Sequence, residues 1–171
     1  MNKTKINIFL SPLIILMSLV LFRIIPHPPN FTPIIAFAVI SSYFFSNQII
    51  AFGTLVLSLL VSDFIIGFYD GFGFTYFILF FLLFSSKSLF KKLNFNSVTI
   101  LSLYGSTAFF IFSNFAVWLK SGMYEHTFDG LLFCYINALP FYGNTLLSTF
   151  FYGYLLLFFN ASIKKYEFNT N

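Results

Sequence analysis

Long apolar stretches alternate along the chain with short clusters of Pro, Gly, Asn and charged residues. The apolar runs are continuous, without a strict polar alternation, which is the pattern of helices and not of barrel strands. The first run covers residues 6–25 and stops at Pro26-His27-Pro28-Pro29-Asn30, where prolines forbid helix continuation. The second, residues 32–45, opens with Thr32-Pro33. Pro33 suits a first helical turn, with Asn30 or Thr32 as the cap. After a short turn at Ser46-Asn47-Gln48 comes a third run, residues 49–67, and after Tyr69-Asp70-Gly71 a fourth, residues 74–86. Residues 87–96 form the most polar connector. The fifth run, residues 98–119, carries Trp118 where an interface anchor belongs.

The last apolar stretch, residues 128–160, exceeds one ordinary span of about 20 residues and is interrupted by Pro140 and Gly143-Asn144. The pattern predicts a short surface or re-entrant helix over residues 128–139 and a sixth span over residues 144–159. The expected fold class is therefore all-α: a single polytopic membrane domain of about six helices over residues 1–171.

Composition supports this reading. Of 171 residues, 58% are hydrophobic and 8% charged, against about 25% charged in a soluble domain. Phe occurs 29 times, spread over every segment, and reads as lipid-facing filler. The N-terminus has Lys3 and Lys5 before an apolar run but no A-x-A-like cleavage site, so it reads as a retained first helix.

The net charge of +4 is explained by topology, not by nucleic acid. Six spans with both termini in the cytoplasm place Lys3, Lys5, Lys87, Lys91, Lys92, Lys164 and Lys165 inside, and only Arg23 and Lys120 outside. That asymmetry satisfies the positive-inside rule and predicts a multi-pass inner-membrane protein. Arg23, His27, Asp63, Asp70, Lys120, Glu125, His126 and Asp129 then gather at the outer face.

Asp63 stands out. A carboxylate inside a span is costly and marks a functional site, unless it forms a structural ion pair with Arg23 or simply reaches the interface. The breaks Pro26…Asn30-Phe31-Thr32 and Pro140…Asn144-Thr145 look alike. Each would start an inward-running helix whose N-terminal N–H groups could hold an anionic group. The candidate substrate-binding residues are thus Arg23, His27, Asn30, Asp63 and Asn144, with Arg23 as partner of an anion. Small residues at four-residue spacing (Thr54, Ser58 and Ser62; Ala38 and Ser42; Ser102 and Ser106) predict close helix packing.

Other chemistries lack their motifs. There is no G-x-x-x-x-G-K loop, no H-E-x-x-H, no G-x-S-x-G, and a single cysteine, Cys134. No cofactor, no metal and no enzymatic activity are expected.

Residues 23–38 (RIIPHPPNFTPIIAFA), Ser62-Asp63 and residues 130–147 (GLLFCYINALPFYGNTLL) resemble the signatures of an uncharacterised family of small bacterial membrane proteins assigned to transport. That family in turn resembles, more distantly, the S components of energy-coupling factor (ECF) transporters. The resemblance implies six helices, capture of a small nutrient from the outer side, and docking on a transmembrane coupling subunit driven by two ATPases. Segment one lacks the alanine spacing that S components use for docking. The N-terminus lacks the early His of the cobalt and nickel branch, which argues against metal uptake. The rival expectation is a non-transporting membrane scaffold or assembly protein.

Overall fold

The computed structural model describes residues 12–45, 47–69 and 71–169, the last eight of these by backbone alone. Among the described residues there are six α-helices: α1 (Pro12–Ile24), α2 (Ile34–Ile40, extended by a tight helical turn at Ser41–Tyr43), α3 (Gln48–Ile66), α4 (Phe72–Ser86), α5 (Phe95–Lys120) and α6 (Phe128–Asn169). No strand occurs among the described residues. Lys3, Lys5 and the start of the expected first segment lie outside them.

Local chemistry sets several boundaries. The Asn47 side chain caps α3 by accepting from Ile49 N at 2.8 Å. Asn94 and Ser97 form a reciprocal capping box that starts α5. The helix α3 stops at Gly67, whose φ of 108° only glycine adopts without strain. The expected cap of α2 is absent: Pro33 occupies that position, and no side chain caps the helix.

The interior is built around α2. Every one of its residues is buried, from Ile34 to Ile40, and it touches α4, α5 and α6. A helix apolar all round belongs inside a bundle. Its ten helical residues, Ile34–Tyr43, run alongside α4. At one end Ile34 and Ile35 lie near Arg23. At the other, the Tyr43 hydroxyl donates to Phe90 O at 3.0 Å.

Small residues allow this packing, as their spacing predicts. Ala38, Ala51, Ser58, Ser62, Ser102 and Ser106 are all fully buried. At Gly105 an added Cβ would stand 2.7 Å from Val39 Cγ1.

The final helix corrects the expectation of a break at Pro140. Residues 128–139 and 144–159 belong to one helix of 42 residues, about 63 Å long at 1.5 Å per residue. Proline removes one backbone hydrogen bond, which neighbouring helices can offset. Here α5 grips α6 on both sides of it. The Tyr135 hydroxyl donates to Ile111 O at 2.7 Å, and Tyr142 and Thr107 share a hydrogen bond at 2.9 Å. The antiparallel pairing continues through Ser102 to Thr149 O at 3.3 Å and Thr99 with Tyr154 at 2.6 Å.

Two helices, α3 and α5, are long and apolar enough to cross a membrane; α1, α2 and α4 are apolar but shorter. The outward faces are apolar too, with Ile49 71% and Phe64 82% exposed.

Gly105→Leu should lower the thermal midpoint of the detergent-purified protein, at a cost of about 1–3 kcal/mol for overpacking. Gly53→Ala, where nothing lies within 4 Å of the added carbon, should leave or raise it. Equal midpoints for Gly105→Leu and the parent would refute the close approach of α2 and α5.

Candidate functional site

Three helix ends converge on one carboxylate. Asp63 sits in the last turn of α3 and is 1% exposed. The negative end of its own helix disfavours the charge there, so other elements must supply its partners. Arg23, in the last turn of α1, places Nη2 2.6 Å from Asp63 Oδ1. Tyr76, in the first turns of α4, donates its hydroxyl to Asp63 Oδ2 at 2.6 Å.

The guanidinium is itself positioned. Arg23 Nη1 donates to the Ser62 hydroxyl and to Leu59 O at 3.4 Å. The Ser62 hydroxyl in turn donates to Ser58 O at 2.7 Å. The hydrogen bonds to Ser62 and Leu59 both use Nη1, while Nη2 forms the ion pair with Asp63; a guanidinium carries five N–H donors in all. The Arg23 side chain is 16% exposed.

The exposed part borders a cavity of about 480 Å³, within the range typical of small-molecule sites. Ile34, Ile35, Leu79 and Thr145, all buried, form its floor. The rim is exposed and includes His27, Asn30, Tyr69 and Phe141. Ser113 and Asn114 of α5 and Tyr142 of α6 complete the wall.

The rim residues have their own constraints. His27 Nδ1 lies 2.6 Å from Ile25 O, so this nitrogen carries a hydrogen and donates it, leaving Nε2 outside that contact. Asn30 adopts a φ of 63°, a left-handed conformation that Asn tolerates better than most residues. Its carbonyl accepts from the Ser148 hydroxyl on α6 at 3.3 Å, which ties the proline-rich connector to the bundle. The Tyr69 hydroxyl is raised above the ordinary phenol range, chiefly by lost hydration, while its hydrogen bond to Thr75 pulls the other way. It stays protonated and able to donate.

Of the five residues read from the sequence, Arg23, His27 and Asn30 border the cavity, and Asp63 stands behind Arg23. Asn144 does not border it. With α6 unbroken, Asn144 lies inside a helix and offers no helix N-terminus, so the proposed likeness between the two breaks disappears. Tyr76, Tyr69, Asn114 and Tyr142 were not read from the sequence. A signal existed for Asn114, an amide in the middle of an apolar helix. None existed for Tyr76, which shares its segment with many other aromatics. His126 lies elsewhere, with its ring 5.3 Å from Trp118.

A family model, described as a family of unknown function (DUF6580), matches residues 2–169. No curated protein and no solved structure matches the chain.

Arg23→Ala and Asp63→Ala should each destabilise the protein by about 3–5 kcal/mol, because each leaves a buried charge without its partner. The paired substitution Arg23→Met with Asp63→Leu should cost less than the sum of the single losses. Additive losses in denaturant or thermal unfolding would show that the two side chains act independently.

Proposed function

The chain belongs to DUF6580, a family of unknown function, and we propose that it is a membrane-embedded capture protein for a small nutrient, acting like the S component of an ECF transporter. The observation that carries this reading is the cavity beside Arg23, open at an exposed rim and lined by both polar and apolar side chains. Cavities of mixed polar and apolar lining between helices are where bundles bind small molecules.

Embedding in a bilayer accounts for the apolar exterior. Large exposed hydrophobic surface on a water-soluble monomer would be a liability, whereas in lipid it is the favoured face. In this reading the cavity opens to the outer side. The connector with Lys87, Lys91 and Lys92 lies at the opposite end of the bundle, where Tyr43 meets Phe90, and faces the cytoplasm as the positive-inside rule requires. Both termini are then cytoplasmic. The short α2 spans between the ends as an interior helix, and α5 with α6 extends beyond the hydrocarbon. Capture needs no bond chemistry. Import would draw its energy from a transmembrane coupling subunit with ATPases.

A cysteine placed at Lys91 should react with a membrane-impermeant maleimide only after cells are permeabilised, and one at Lys120 should react in intact cells. The reverse labelling would invert the protein and close the cavity to outside nutrients. In a thermal-shift screen of the purified chain, at least one small nutrient should stabilise the protein, by about 2.7 kcal/mol at a hundredfold excess over its Kd. The cavity-filling substitution Ser113→Phe should abolish that shift. An empty broad screen with correct labelling would favour a scaffold role.

A further inference from the structure

The charge balance of the cavity narrows what it can hold, taking the capture reading as the premise. Among the described residues that border it, Arg23 is the only permanently charged one. In the sequence Arg23 stands as a natural partner for an anion. In the structure its charge is already balanced by Asp63, buried behind it, with Oδ1 2.6 Å from Nη2. The second carboxylate oxygen is held by Tyr76, so Asp63 is fixed in place and cannot turn aside for an incoming acid.

A carboxylate or phosphate placed on the guanidinium would add a second negative charge beside the buried Asp63, where charges are screened less than in bulk water. Among the described residues no Lys borders the cavity to offset it. An uncharged molecule meets no such repulsion. It can still accept hydrogen bonds from donors that border the cavity, the Arg23 guanidinium and the Tyr69 hydroxyl. Four aromatic side chains, Phe109, Phe110, Phe141 and Tyr142, also line the cavity, and aromatic rings pair favourably with a ring-bearing ligand.

We infer that the site takes an uncharged, ring-bearing molecule with hydrogen-bond acceptors, and that Asp63 is the specificity-determining residue that turns anions away. Such discrimination by a placed repulsive charge is a general route to specificity.

The test uses matched pairs on one ring skeleton: benzamide with benzoate, nicotinamide with nicotinate, and indole-3-acetamide with indole-3-acetate. Binding to the purified full chain is followed by ligand-observed NMR titration near neutral pH. The wild type should prefer the amide over its acid by about tenfold or more in at least one pair. In Asp63→Asn the preference should swing toward the acid by a similar factor, because Arg23 then faces the cavity with its charge unbalanced. An acid that binds the wild type as tightly as its amide overturns the inference and leaves capture standing. An amide preference unchanged in a folded Asp63→Asn removes Asp63 from the specificity role. If no pair binds, uncharged ring amides are not ligands and the inference fails. The capture reading fails only if the broad nutrient screen is empty as well. The wild-type comparison holds by itself should Asp63→Asn not fold.

Discussion

A buried carboxylate in an apolar bundle has to find its counter-charge within the chain. Asp63 finds it in Arg23, and nearly everything distinctive about one end of the molecule follows from that pairing. The ends of α1 and α3 are brought together, and α4 must start where Tyr76 can reach the second oxygen. The guanidinium is then anchored to α3 through Ser62 and Leu59. A cavity can persist beside such a cluster because its wall is held by charge and hydrogen bonds and not by apolar contact alone.

The rest of the bundle depends on a different constraint, the close approach of backbones around α2. Close packing of small residues and interhelical hydrogen bonds hold such helices together. Small residues provide the first: those of α5 let α2 come close, with a Cβ at Gly105 landing 2.7 Å from Val39 Cγ1, and those of α3 pack mainly toward α1. The second comes from hydroxyl groups bridging α5 and α6, from Ser102 and Thr149 at one level to Tyr135 and Ile111 at another. This ladder also explains why Pro140 bends no boundary into α6: the helix is clamped before and after the residue that lacks an N–H.

The two halves of the polar site differ in origin. Asp63 with Arg23 could be anticipated, because a charge in an apolar run demands a partner and few were on offer. The loop residues His27 and Asn30 followed from the proline cluster that must end α1 and start α2. The helix start expected at Asn144 does not occur: Pro140 reads locally as a helix stop, but contacts with α5, about 30 residues away in the chain, override that preference. Tyr76, Tyr142 and Tyr69 could not be singled out among 29 Phe and 10 Tyr, since ring composition does not reveal which hydroxyl meets which acceptor.

By itself the sequence determined that the chain is helical, where most helices begin and end, which small residues lie between them, and that Asp63 needs a cation. These are set by local hydrogen bonding, capping and the cost of isolated charge, all of which act over a few residues. Only the tertiary structure decided that α6 runs unbroken, that α2 lies wholly inside, and that Arg23 spends its charge on Asp63 while still bordering a cavity. Those outcomes depend on which helix faces meet, and a linear pattern of apolar residues, uniform around several of these helices, holds no information about that choice.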